Sequence, residues 1–139
     1  MNSIDGGISE PMNFNAASRF CLIVDDSSLV RRIARKALTG LGFEIDEAEN
    51  GKVALDKCQN RKPDIVLLDW NMPVMNGLEF LISLRGTEGG KAPNVIFCTT
   101  ETDVDHIRMA LESGADEYLM KPFDTESLYM KLSGITYRQ

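Results

Sequence analysis

The chain lacks several things, and each lack narrows what it does. No apolar run approaches the roughly 18 residues that a membrane-crossing helix needs, so insertion into a bilayer is not expected. There is no basic excess: 15 Lys and Arg stand against 21 Asp and Glu, a net charge of −6. Nucleic acid is therefore excluded as the main partner, because a phosphate backbone demands a basic surface. Cysteines number three, Cys21, Cys58 and Cys98, far apart and without a Cys-x-x-Cys or His/Cys cluster. Neither a disulfide framework nor a zinc site follows, and buried reduced thiols in a cytoplasmic protein are the expectation. No basic start followed by an apolar stretch opens the chain, so no secretory signal is read there. Residues 1–18 are rich in Asn, Ser and Gly and are expected to form a mobile arm. At 139 residues, the remainder has length for one domain with one core.

What is present is an alternation of short apolar runs with helix-like segments. Phe20–Val24 is continuously apolar and stops at Asp25-Asp26, which predicts a strand buried on both faces. Val30, Ile33, Ala34, Ala37, Leu38 and Leu41 then keep helical spacing, with Arg31, Arg32, Arg35 and Lys36 on a solvated opposite face. Phe43–Ala48 is a second strand interrupted by acidic residues, as suits a sheet edge. A short helix over Gly51–Asn60 precedes a buried run, Ile65–Leu68, that ends at Asp69. A Pro-containing loop leads to a helix near Leu78–Leu84, and Asn94–Cys98 is a fourth strand ending at Thr99. Asp103–Ser113 is expected to be helical with Val104, Ile107 and Leu111 facing inward. Asp116–Met120 gives a fifth strand before Lys121-Pro122, and Leu128, Leu132 and Ile135 line a last helix. Five β-α units imply an α/β fold, a parallel sheet with helices on both faces.

In an open parallel sheet, ligands bind beyond the carboxyl ends of the strands where the strand order reverses. Each apolar run delivers a polar group to that end: Asp25 and Asp26, Asp69, Thr99 and Lys121. Three clustered carboxylates raise one another's pKa unless a cation neutralises them. Hard oxygen ligands partly open to water suit Mg²⁺. Such an ion binds a phosphoryl oxygen, Thr99 and Lys121 donate to the others, and one carboxylate is left as nucleophile. Asp69 is the best candidate because it lies between the acidic pair and the lysine. Separately, each residue has an ordinary role: Asp-Ser as a helix cap, Asp69 as a turn residue, Thr99 packed in its strand, Lys121-Pro122 as a turn. Their joint placement at one rim is what argues for chemistry.

At this point the segments LIVDDSSLVRRI, IVLLDWNMPVMNGLEFL, FCTTE and GADEYLMKPF resemble the receiver domains of two-component response regulators, in particular the stand-alone chemotaxis type. The resemblance runs from about Phe20 to Leu132, and DWNMP with the following NGLE is its most specific part. It implies a flavodoxin-like doubly wound fold with strand order 2-1-3-4-5 and a receiver domain over 19–139. It implies Asp26 and Asp69 as direct Mg²⁺ ligands, Asp25 acting through water and Asn71 lending its backbone carbonyl. Asp69 would accept the phosphoryl group, Lys121 would contact it, and the bond to Pro122 would be cis. Thr99 would swing toward the phosphoryl group and Tyr118 would move inward behind it. Asn71 and Glu101 would tune dephosphorylation, while Thr100 departs from the usual small residue. The implied partners are a histidine kinase or histidine phosphotransfer protein, and a downstream protein target.

Met109, Tyr118, Tyr129 and Met130 are not needed by the inward stripes and suggest a partner surface around the fourth helix, fifth strand and fifth helix. The basic face of the first helix is an alternative docking surface for an acidic phosphodonor. Two rival functions fit the sequence less well. A haloacid-dehalogenase-type phosphohydrolase needs a second acid two residues after the nucleophile, where this chain has Asn71, and a cap domain for which there is no length. A constitutive scaffold is disfavoured by the presence of the whole acidic, threonine and lysine set.

Overall fold

The computed structural model describes residues 19–100 and 104–135; the arm expected over 1–18 and Glu101 lie outside them. Ten elements alternate: β1 (Phe20–Val24), α1 (Ser28–Gly40), β2 (Glu44–Ala48), α2 (Gly51–Asn60), β3 (Ile65–Asp69), α3 (Gly77–Arg85), β4 (Asn94–Thr99), α4 (Val104–Glu112), β5 (Glu117–Met120) and α5 (Thr125–Ser133). The strands form one parallel sheet in the order β2-β1-β3-β4-β5, so the order reverses between β1 and β3. The fold expected from the sequence is the fold observed.

Side chains along a strand alternate between faces, and the three inner strands bury both. Cys21, Ile23, Ile65, Leu67, Ile96 and Cys98 pack on one face against Ala34, Ala37 and Leu38 of α1 and Leu128 and Leu132 of α5. Leu22, Val24, Val66, Leu68, Val95 and Phe97 pack on the other against Ala54, Cys58, Phe80, Leu81, Leu84 and Ala110 from α2, α3 and α4. α1, α2, α3 and α5 begin at polar caps, as the donors of a first turn require. Ser27 accepts from the Val30 N–H, Asn50 from Val53, and Asn76 and Asp124 each close a reciprocal capping box.

Three inward assignments do not hold. In α4, Val104 and Leu111 are exposed, and only Ala110 is buried. The helix is rotated because the His106 ring meets the Trp70 ring edge-on at 5.2 Å, while small Ala110 permits close approach. In α1, Ile33 is 48% exposed. The basic face of α1 is not simply solvated, since Arg31 and Arg35 both bind Glu47 of β2.

All three cysteines are free and buried. Burial pushes the Cys58 thiol up to about 11 and the Cys98 thiol up to about 12, and Cys21 is raised further still. Since the thiolate is the reactive species, a disulfide reagent at pH 8 is expected to find no fast-reacting thiol in the native protein and three in denaturant. A rapidly modified native thiol would show that one of the strands is not closed as described.

Candidate functional site

The parallel register brings the ends of β1, β3, β4 and β5 to one rim. Asp25 and Asp26 follow β1, Asp69 and Thr99 end β3 and β4, and Lys121 follows β5. Single ligand oxygens from Asp25, Asp26 and Asp69 all lie within 4.8 Å of one another. The Lys121 ammonium donates to Asp25 Oδ2 at 2.7 Å and Asp69 Oδ1 at 3.1 Å. The Lys121 backbone N–H donates to the Thr99 carbonyl at 2.9 Å, which ties the lysine to the end of β4. The Lys121-Pro122 bond is cis. Asp25 and Asp69 are buried and Asp26 is exposed.

The loop after Asp69 is held by backbone contacts. The Gly77 N–H donates to the Trp70 carbonyl at 2.9 Å and the Gly51 N–H to the Met75 carbonyl at 3.0 Å. A Cβ at Gly77 would lie 2.2 Å from the Asp69 carbonyl oxygen, so only glycine lets α3 start this close beneath the site. Val74 stands at φ 69°, a left-handed conformation that costs a β-branched residue about 1–3 kcal/mol. Asn71 is exposed on this loop, two residues beyond Asp69.

Burial, then the neighbouring Asp25 charge, hold the Asp69 carboxyl above its ordinary range; Lys121 offsets part of this, and Asp26 adds to it. Burial pulls the Lys121 ammonium down, but its bond to Asp25 and the charges of Asp69 and Asp25 outweigh it, and its pKa is raised. One ammonium facing three carboxylates leaves the cluster electrostatically unsatisfied. A hard divalent cation with room for water ligands fits this all-oxygen set, whereas zinc or copper would call for nitrogen or sulfur donors.

Behind Thr99 lies an apolar recess of about 10 Å³, lined by Trp70, Phe97, Thr99, His106, Ile107, Ala110 and Tyr118. Trp70 packs on Phe97 with ring centres 5.0 Å apart. Tyr118 is half-buried and carries the Lys131 ammonium 4.9 Å from its ring centre, while Lys131 also pairs with Glu117 at 3.2 Å. Met109 and Met130 are exposed, but Tyr129 and Tyr118 pack against the two cores. Thr100 is exposed.

The residues read from the sequence thus divide in three. Asp25, Asp26, Asp69 and Lys121 come together directly, Thr99 borders them, and Asn71 and Tyr118 stand on the loop and behind the recess. Sequence reasoning missed Gly77, whose place at the end of the loop eight residues after Asp69 hinted at a close approach. It also missed Arg31 and Glu47, for which no local pattern gave a signal.

A doubly wound sheet with an acidic cluster and one lysine at its switch point defines a class of small α/β switch domains. The pattern of the response regulator receiver domain matches residues 21–133, and the chain belongs to that family. It is 40% identical over 113 residues to the chemotaxis protein CheY1 of Helicobacter pylori, covering 80% of this chain and 91% of that one. It is 39% identical over 116 residues to the CheY homologue of Campylobacter jejuni, covering 82% and 89%. Among solved structures, chemotaxis protein CheY4 of Vibrio cholerae superposes with a TM-score of 0.81 at 34% identity, covering 85% of this chain and 98% of that one.

Because its ionised carboxyl is disfavoured in the fold, Asp69 lowers stability once the pH exceeds its raised pKa. In chelator at pH 7.5, Asp69→Asn is therefore expected to raise the urea midpoint, a stabilisation of about 1 kcal/mol, the usual scale of a single substitution. A lower midpoint would show that the carboxylates do not repel one another as described.

Proposed function

We propose that this chain is a phosphorylation-controlled signalling switch in which Asp69 accepts a phosphoryl group in a Mg²⁺-dependent reaction. The observation that carries the reading is the meeting of Asp25, Asp26 and Asp69 within 4.8 Å beside the Lys121 ammonium. Asp26, Asp69 and the Asn71 backbone carbonyl would hold the ion directly, with Asp25 acting through water. Bound there, Mg²⁺ supplies charge neutralisation for the carboxylates and for the incoming phosphoryl oxygens.

The chain's own groups do the rest. An Asp69 carboxylate oxygen attacks the phosphorus of a phosphohistidine, on a histidine kinase or a phosphotransfer protein. The new O–P bond forms as the P–N bond breaks, and the imidazole leaves with the electron pair and takes a proton from solvent. Lys121, already beside Asp69, donates to a phosphoryl oxygen, and the Thr99 hydroxyl donates to another. Water later attacks the same phosphorus, releasing phosphate and restoring Asp69. Asn71 and Glu101 are the residues we assign to the rate of that step. Half-buried Val30 and exposed Ile33 of α1 line, with Pro122 and Phe123, an apolar groove that reaches Lys121, which favours donor docking on this side.

The output would be read on α4, β5 and α5. When Thr99 turns toward the phosphoryl group, the recess behind it gains room for the Tyr118 ring. Moving a conformational equilibrium from 1:99 to 99:1 takes about 5.5 kcal/mol. Two or three charge-assisted hydrogen bonds at about 1.5–3 kcal/mol each are of that size. The packing of α4 suits such a change, since Val104, Met109 and Leu111 face outward. The domain assigned to this role is 19–139, in the cytoplasm, with a protein as its downstream target.

Acetyl phosphate with Mg²⁺ is expected to add one base-labile phosphoryl group per chain, and Asp69→Asn to abolish it while remaining folded. Equal labelling of the variant would remove Asp69 from its role. Thr99→Ala is expected to be labelled still, yet to lose most of the NMR shift changes that beryllofluoride induces across residues 104–120. Identical changes in both proteins would show that the switch does not run through Thr99.

A further inference from the structure

The backbone of Asp25 is fixed on every side. Its N–H donates to the Ala48 carbonyl of β2 at 3.1 Å. Its carboxylate accepts from the Ser27 N–H at 2.9 Å and from Lys121 at 2.7 Å. Its carbonyl accepts from Arg31 Nη1 at 2.7 Å. That carbonyl belongs to the peptide joining Asp25 to Asp26. A peptide unit is planar as far as the next Cα, so holding its oxygen also sets the direction of the Asp26 N–Cα bond from which the Asp26 side chain hangs.

Arg31 is itself held. Its Nε donates to Glu47 Oε1 at 2.8 Å, and Arg35 of the next turn binds the other Glu47 oxygen. Burial alone would raise the Glu47 carboxyl, but these two arginines outweigh it, and its pKa is lowered. The Arg31 side chain is 19% exposed, against 45% for Arg35. If the only task were to tie α1 to β2, Arg35 would suffice. Arg31 instead turns its Nη1 toward the site and binds the Asp25 backbone carbonyl with a charge-assisted bond.

We propose that Arg31, buttressed by Glu47, is a positioning residue that orients the Asp25–Asp26 peptide so that the Asp26 carboxylate faces the cation. The inference rests on the reading of Asp26 as a Mg²⁺ ligand. It extends the site from the rim of the sheet to the edge strand β2 and to the helix face that the sequence presented as solvent-facing. Groups that orient metal ligands commonly change affinity without touching the metal.

The sign of the effect separates positioning from simple charge. Removing a guanidinium near three carboxylates would, by electrostatics alone, tighten Mg²⁺ binding, and added salt would screen the gain. Losing the orientation of Asp26 weakens binding whatever the salt. The experiment is Mg²⁺ titration by calorimetry at low and high ionic strength, for wild type, Arg31→Met, Arg31→Lys and Arg35→Met. Arg31→Met is expected to weaken affinity about ten-fold at both ionic strengths. Arg31→Lys should recover part of it, and Arg35→Met should match wild type. In the metal-free proteins, the amide resonances of Asp26 and Ser27 should move in Arg31→Met and stay in Arg35→Met. Labelling by acetyl phosphate at saturating Mg²⁺ should remain within about two-fold, which places the loss in binding rather than in transfer. Unchanged or tighter affinity in Arg31→Met overturns the inference. If that variant does not fold, Glu47→Gln decides at high ionic strength, where its lost charge is screened: weaker affinity there supports the inference, and wild-type affinity there overturns it. Absence of Mg²⁺ binding by the wild type would instead overturn the proposed function, and this inference with it.

Discussion

Everything at the site follows from one electrostatic constraint: three carboxylates are held within 4.8 Å by strands that cannot move apart. β1 and β3 are hydrogen-bonded neighbours with both faces buried, so the positions of Asp25 and Asp69 are fixed by the core rather than by their own preference. Among the described residues, the Lys121 ammonium pairs with two of them, Asp25 and Asp69. The fold therefore holds repulsion that a cation, a proton or a neutral substitution relieves. The proposed function uses that repulsion, since a divalent ion and a phosphoryl group at Asp69 would relieve it. The same rigidity explains why Gly77 must lack a side chain, since α3 begins against the Asp69 backbone.

The two sides of the sheet divide the labour. α1 and α5 close one core, and α1 also carries Arg31 to the Asp25 carbonyl. On the other face, α2 and α3 are well anchored through Ala54, Cys58, Phe80, Leu81 and Leu84, whereas α4 contributes Ala110 alone to the fully buried set. The C-terminal end of α4 is nonetheless fixed, because Arg85 donates to the Gly114 carbonyl and to Asp116. An element pinned at one end and lightly packed along its length is suited to a low-energy rearrangement. The proposed signal runs from the rim through Thr99 into that element.

The fold was legible because each inner strand carries a continuous apolar run and each is followed by a segment of helical period. The strand ends, and with them the site, were legible for the same reason: Asp25, Asp69, Thr99 and Lys121 each break or follow such a run. What could not be read was rotation and long-range pairing. The inward face of α4 is decided by the fit of His106 and Ala110 against Trp70, which periodicity over nine residues cannot distinguish from the Val104–Leu111 stripe. The roles of Arg31 and Glu47 depend on β2 lying beside β1 in one register, Ile23 opposite Glu47, a contact across 16 residues of chain. A charged edge strand and a basic helix face look, one at a time, like ordinary surface.

The central claim is that Asp69 forms the acyl phosphate, and its direct test is chemical mapping of the modified carboxyl. Borohydride reduces an acyl phosphate to an alcohol, which turns the modified aspartate into homoserine at its own position. After treatment with acetyl phosphate and Mg²⁺, peptide sequencing is predicted to find homoserine at position 69, and none when the metal is chelated. Homoserine at position 25 or 26, or a phosphoryl group that survives on a hydroxyl or imidazole, would contradict the account.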